Sequence, residues 1–196
     1  MKELVVATRN HGKLRELHSL LDGIVDTLLN SADFPDFPET IEDGLTFQAN
    51  ALKKAREAMR FTGLPALADD SGLAVDALDG RPGVYSARFA GEGAGDSANN
   101  QRLLEELAAV PACQRQAAFI CVVAYVTPDG VEQTFSGRIN GCILDSAQGD
   151  GGFGYDPLFL VDGYNRTMAE LTLPEKNAIS HRGQALRRFR AFLEQR

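Results

Sequence analysis

No apolar run in the sequence is long enough to cross a bilayer. The longest strongly apolar stretch, residues 117–126, is about half of the ~20 residues that a helical span needs, so a membrane is not an expected partner. Cysteine is scarce. Cys113, Cys121 and Cys142 make an odd set with no CxxC pair, which excludes a secreted disulfide scaffold and fits a reducing compartment. Cys121, inside the apolar run, reads as core. The stretch Met1-Lys2-Glu3-Leu4-Val5-Val6 is too short and too soon interrupted for a signal peptide, so a cytoplasmic location is expected. Positive charge is also in deficit, with 20 Lys and Arg against 27 Asp and Glu and a net charge of -7. Such a surface repels a phosphate polymer, so DNA and RNA are not expected partners. A small anionic substrate would need local help from Lys, Arg, backbone N–H groups or a metal cation. The GxxxxGK[ST] phosphate loop, internal repeats, low-complexity tracts and clear linkers are all missing.

What is present suits a packed chain. A hydrophobic fraction of 44% over 196 residues is enough for one domain of ordinary size, or two small lobes sharing a core. Residues 4–7 read as a buried strand, followed by a helix with Leu14, Leu17, Leu20 and Leu21 on one face. Residues 33–39 read as loop. Thr46 is placed to cap a helix with Phe47, Ala51, Leu52, Ala55 and Met59 on one face and Asn50, Lys53, Lys54 and Glu57 opposite. Strands are expected at 64–68 and 73–77, on either side of Asp69-Asp70-Ser71-Gly72. A turn follows at 80–83, a glycine-rich loop at 91–96 and a helix at 98–109 closed by Pro111. A strand at 117–126 leads through the hairpin signal Pro128-Asp129-Gly130 to strands at 131–135, 138–144 and 157–161. Thr172-Leu173-Pro174-Glu175 fits a capping box with an early proline. The last helix carries Ala185, Leu186, Phe189, Phe192 and Leu193 on one side. Strands alternate with helices early and form hairpins later, which predicts an α/β fold with a mixed sheet.

Five constellations carry candidate chemistry. Thr8-Arg9-Asn10-His11-Gly12-Lys13 lies where the first strand meets the first helix. It is either a plain βα turn with a capping Asn, or an anion loop using the helix N-terminus and the charge of Lys13. Asp69-Asp70-Ser71-Gly72 is either a polar turn or a metal site, because adjacent carboxylates at the end of an apolar strand need a cation; Mg²⁺ is the usual choice beside phosphates. Glu42 in Glu42-Asp43-Gly44 is a second metal ligand or a solvated loop acid. Gly151-Gly152-Phe153-Gly154-Tyr155-Asp156-Pro157 either lets a flat base stack on Phe153 or plugs the core with it. Lys176, Ser180, His181 and Arg182 are donors for phosphate or keto oxygens, or a solvated basic face. Together they supply an anion loop, a metal site, a base platform and donors, which is the set that hydrolysis of a nucleoside triphosphate requires.

Several stretches in order resemble the inosine/xanthosine triphosphate pyrophosphatase family. They are Ala7-Thr8-x-Asn10-x-Gly12-Lys13-x-x-Glu16, Glu42-x-Gly44-x-Thr46-Phe47-x-x-Asn50-Ala51, Ala68-Asp69-Asp70-Ser71-Gly72-Leu73, Gly80-x-Pro82-Gly83-Val84-Tyr85-Ser86-Ala87-Arg88, Gly152-Phe153-Gly154-Tyr155-Asp156-Pro157 and Ser180-His181-Arg182. The resemblance spans essentially the whole chain. It implies one domain over residues 1–196, an elongated α/β fold of two lobes with a cleft between them, a homodimer and a Mg²⁺ requirement. It implies that Glu42 and Asp70 bind metal, that Asp70 is the catalytic proton acceptor, and that Thr8, Arg9, Asn10, His11, Gly12 and Lys13 hold the phosphates. Ser71, Phe153, Gly154, Tyr155, Asp156, Lys176, His181 and Arg182 would contact the substrate, with Asn50 and Lys53 in support. The implied reaction is attack of water on the α-phosphorus of ITP, dITP or XTP, releasing pyrophosphate. Donors such as His181, Arg182 or loop N–H groups would favour a 6-oxo purine over adenine. The alternatives are a pyrophosphatase for other modified nucleotides and a nucleotide sensor without turnover.

Overall fold

The computed structural model describes residues 2–195; Met1, which opens the N-terminal stretch considered above, and Arg196 lie outside them. Strands β1 (Glu3–Val6), β2 (Thr27–Asn30), β3 (Ala66–Val75), β4 (Gln116–Val126), β5 (Glu132–Ile143) and β6 (Phe159–Val161) form a six-stranded sheet in the order β2-β1-β3-β4-β5-β6. β1 is parallel to β2 and β3, and β6 is antiparallel to β5, so the expected mixed sheet is present. Among the described residues five α-helices accompany it: α1 (His11–Leu21), α2 (Phe47–Thr62), α3 (Gly95–Glu106), α4 (Leu173–Ile179) and α5 (His181–Glu194). Among the described residues no helix is long and apolar enough to cross a membrane.

The chain divides into two compact units. The first holds the residues up to Asp70, Cys121–Gly137 and the chain from Arg182 on; the second holds Ser71–Ile120 and Arg138–His181. In the first unit the two-residue period of the strands sorts side chains onto two faces. Leu4, Val6, Leu67, Cys121 and Val123 pack with Leu17 of α1 and Leu186 and Phe189 of α5. The residues between them, Val5, Ala7, Ala66, Ala68 and Ala124, pack with Ala51, Ala55 and Ala58 of α2. Because α2 meets the strands through alanines, its backbone lies close to the sheet. Both faces are covered, which explains the nearly unbroken apolar run of β1. In the second unit Leu73, Val75, Leu103, Leu107, Phe119, Phe159 and Met168 form the core.

The caps are where the sequence places them. Thr46 Oγ1 accepts the Ala49 N–H at 3.1 Å, and the Thr172–Glu175 capping box opens α4. Three expectations need correction, and one strand is additional. Residues 69–72 are not a turn between two strands: β3 runs through them without a break. Side-chain types that favour turns yield here to a buried environment that compensates their charge. The strands expected at 131–135 and 138–144 are likewise one strand, β5, because Ser136 and Gly137 remain extended within it. α3 starts at Gly95, earlier than 98. The short β2 was not foreseen; its four residues leave too little pattern for a periodicity argument.

Phe189 is fully buried between the rings of Tyr125 and Phe135, at centroid distances of 5.1 and 5.6 Å. Phe189→Ala is expected to cost about 3–5 kcal/mol of stability, read from urea unfolding. A loss below about 1 kcal/mol would mean that this side of the first unit is not packed as described.

Candidate active site

The first unit gathers charge around the middle of β3. At the end of β1 the chain enters α1 through a capped turn, in which Asn10 Oδ1 accepts the Lys13 N–H at 3.0 Å and Thr8 Oγ1 accepts the Asn10 N–H at 3.2 Å. Asn10 thus caps the N-terminus of α1, as the plain reading of this βα turn has it. Thr8, Arg9 and His11 border a hollow of about 430 Å³ whose wall includes Phe34 and Phe37. Arg9 itself donates to the Phe37 carbonyl at 3.0 Å.

The adjacent aspartates point to opposite faces, as strand geometry requires. Asp69 turns toward α1 and α5. Its Oδ2 lies 3.0 Å from Lys13 Nζ and accepts from Arg182 Nε and Nη2 at 3.2 and 3.1 Å. The guanidinium of Arg182, 1% exposed, also donates through Nη1 to Glu16 of α1. Burial works against the charged form of Asp69. Lys13, Arg182 and Lys54 outweigh it and hold the carboxyl well below the usual range. Cys121 lies beside this group, its Sγ 4.0 Å from Asp69 Oδ2. Burial, reinforced by the Asp69 charge, pushes its thiol up to about 12, so it is no nucleophile.

Asp70 turns toward α2. Its Oδ2 accepts from Asn50 Nδ2 at 3.1 Å, and its Oδ1 lies 3.4 Å from Lys54 Nζ. Asn50 Oδ1 in turn accepts the Gly44 N–H at 2.8 Å, which ties the 42–44 loop to the strand. A Cβ on Gly44 would stand 2.5 Å from that same oxygen, so the close approach requires glycine. The loop delivers Glu42, whose Oε1 is 2.9 Å from Lys54 Nζ. Glu42 and Asp70 thus converge on one cation. Burial pushes the Asp70 carboxyl above the ordinary aspartate value, against the pull of Lys54 and Lys13. For Lys54 burial favours the neutral amine, but Asp70, Glu42 and Asp69 more than offset it and keep the ammonium charged. Carboxylate oxygens of Glu42 and Asp70 thus face one cation position, and hard cations take oxygen donors of this kind. Among the described residues no three His, Cys, Asp or Glu side chains form a complete metal cage. Mg²⁺ does not need one, because it commonly takes one or two carboxylates and completes its shell with water and substrate phosphate.

The second unit carries the aromatic loop. Asp156 Oδ2 accepts the Phe153 N–H at 2.9 Å and Lys176 Nζ at 2.5 Å, and that ammonium lies 4.7 Å from the centre of the Phe153 ring. Helix α3 grips the next residue from both sides: Asp96 Oδ2 accepts the Gly154 N–H at 2.6 Å, and Asn100 Nδ2 donates to the Gly154 carbonyl at 2.9 Å. The N–H groups of Phe153 and Gly154 are thus given to the protein's own carboxylates. Tyr155 is buried and donates its hydroxyl to the Ser86 carbonyl at 2.9 Å, and burial pushes its phenol up. His181 stacks on Phe119 at 5.0 Å. Residues 176–182 are not one helix: Ser180 separates Lys176 in α4 from His181 and Arg182, which open α5. Ser71 lies in β3 next to Asp70.

Sequence reasoning missed Lys54, Glu16, Asp96 and Asn100. Lys53, named in support, pairs instead with Asp43 at 2.7 Å on the exposed side. A signal for Lys54 was available, since it lies one turn after Asn50 and next to Ala55, along the edge of the buried stripe. No local pattern marks Asp96 or Asn100.

A model of the Ham1 family matches residues 4–192. A protein of Geobacter sulfurreducens named dITP/XTP pyrophosphatase is 64% identical over 95% of this chain and 94% of its own length. Another of that name, from Desulforamulus reducens, is 54% identical over 95% and 92%. A solved structure of a HAM1 protein from Coxiella burnetii superposes with a TM-score of 0.90, at 44% identity, over the whole of both chains.

Asp69→Asn leaves Arg182 and Lys13 without their shared carboxylate and is expected to cost about 3–5 kcal/mol at neutral pH. The folded-state pKa of Asp69 is depressed, so its stabilisation is present above the unfolded value of about 4 and fades as pH falls below it. Urea midpoints of the wild type and the variant should therefore differ at pH 7 and draw together in acid. Equal midpoints at pH 7 would refute the pairing.

Proposed function

The chain belongs to the Ham1 family, and we propose that it hydrolyses deaminated purine nucleoside triphosphates (ITP, dITP and XTP) to the monophosphate and pyrophosphate with Mg²⁺. The observation that carries this reading is the convergence of Glu42 and Asp70 on a single cation position, in the same unit as the N-terminus of α1 and Lys13. The names of the 64% and 54% identical relatives support the substrate class. On the family likeness we further propose a cytoplasmic homodimer and one domain of two lobes.

Glu42 and Asp70 would hold the metal, which when bound supplies charge neutralisation on the phosphates and a more acidic attacking water. Thr8, Arg9, Asn10, His11, Gly12 and Lys13 would hold phosphate through the helix N-terminus and their own donors. Asp70, made more basic by burial and steadied by Asn50, would accept the proton of the attacking water. In the second unit Phe153 would offer a face to the base while Lys176 binds the ring and Asp156. Gly154, Tyr155 and Asp156 would fix that loop, and Ser71, Lys176, His181 and Arg182 would contact the substrate. Arg182 would do so from a guanidinium anchored on Asp69 and Glu16. A purine that stacks on Phe153 gains on the order of 1–3 kcal/mol.

Two outcomes are expected. With XTP, ITP, ATP and GTP compared at saturating Mg²⁺, phosphorus NMR should show pyrophosphate and a monophosphate from XTP and ITP, with kcat/KM far above that for ATP and GTP. Orthophosphate as the product, or equal turnover of ATP, would overturn the reading, and binding without product would identify a sensor. Asp70→Asn should lose roughly 10²–10⁴ in kcat, whereas near wild-type turnover would remove Asp70 from its role.

Releasing the grip of α3 on the aromatic loop, by Asp96→Ala with Asn100→Ala, should raise KM for XTP about tenfold while kcat changes little. An unchanged KM would show that the grip does not set the base platform.

A further inference from the structure

The place between Glu42 and Asp70 already holds a charge. Lys54 Nζ lies 2.9 Å from Glu42 Oε1 and 3.4 Å from Asp70 Oδ1, on a side chain only 10% exposed. An ammonium and a divalent cation within bonding distance of the same oxygens repel strongly, all the more so away from bulk water. The surrounding charges sharpen the conflict. The carboxylates of Glu16, Glu42, Asp69 and Asp70 are paired with the cations Lys13, Lys54 and Arg182. A dication added beside an unmoved Lys54 would bring two more positive charges into a group that already holds these three. Lys54 is also the cation suited to yield. Its charge sits at the end of a flexible four-carbon stem, whereas Arg182 presents a planar fork locked between two acids.

We propose that Lys54 holds the metal's place. Its ammonium and the divalent cation compete for the same oxygens of Glu42 and Asp70, so the nucleotide-free protein binds metal weakly. Metal is taken up together with an anionic ligand toward which the ammonium can turn. This rests on the reading of Glu42 and Asp70 as the metal ligands. It adds that the affinity of that site is set by a residue that is not itself a ligand.

The test is Mn²⁺ binding to the nucleotide-free protein, followed by the paramagnetic resonance signal of the free ion. Lys54→Met should bind Mn²⁺ at least ~10-fold more tightly than the wild type, a gain of about 1.4 kcal/mol. Lys54→Arg, which keeps the charge, should stay as weak as the wild type. Lys54→Gln carries the same expectation as Lys54→Met and replaces it if the latter does not fold. A second readout is thermal: Mn²⁺ should raise the unfolding midpoint of Lys54→Met more than that of the wild type. Unchanged or weaker binding by Lys54→Met, with that binding abolished by adding Glu42→Gln, would overturn the place-holding role and leave the metal site standing. Binding by Lys54→Met that survives both Glu42→Gln and Asp70→Asn would instead show that these acids are not the ligands, and both claims would fall.

Discussion

A buried carboxylate is costly unless a cation stands against it, and β3 carries two in succession. Much of the first unit can be read as the answer to that constraint. Asp69 is met by Lys13 from the start of α1 and by Arg182 from the start of α5. Asp70 is met by Lys54 and Asn50 from α2. These three helices also supply the apolar side chains that cover the sheet, so core packing and charge compensation are performed by the same elements.

The division of labour between the two aspartates follows from backbone geometry. Successive side chains on a strand face opposite ways, so neighbours in sequence occupy different electrostatic surroundings. Asp69, enclosed by a guanidinium and an ammonium, is held ionised and serves as a structural counter-ion. Asp70 faces a less complete set of partners and shares its cation with Glu42, and burial makes it the more basic of the pair. Two identical residues thus sit in opposite surroundings, one tied to two helices by its cations and one made more basic by burial.

Much of this was legible before any coordinates. The period of the leucines in α1, the caps at Thr46 and Thr172, and the strand–helix alternation gave the α/β class and most of its elements. The ordered motifs around Asn10, Glu42, Asp70, Phe153 and Arg182 gave the family. What was not legible has a common physical cause. The partners of Asp69 come from residues 13 and 182, and Asp96 and Asn100 lie more than fifty residues from Gly154. Local pattern carries no information about pairings over such separations. Turn chemistry at 69–72 misled for the same reason, because the cations that let an Asp-Asp-Ser-Gly segment remain a strand come from elsewhere in the chain. Lys54 was hidden differently. Beside Lys53 on a polar helix face it reads as solvated, and only its spacing from Asn50 and its place next to Ala55 mark it as the lysine at the edge of the buried stripe.

The central claim is that Glu42 and Asp70 together hold the cation that cleavage of the nucleotide requires. The most direct measurement is a crystal structure of the protein with Mg²⁺ and an α,β-imido analogue of XTP or ITP. The account predicts a Mg²⁺ ion with oxygens of both Glu42 and Asp70 at about 2.0–2.1 Å, and Lys54 displaced from between them. A metal bound elsewhere, with Lys54 still seated on both carboxylates, would contradict it.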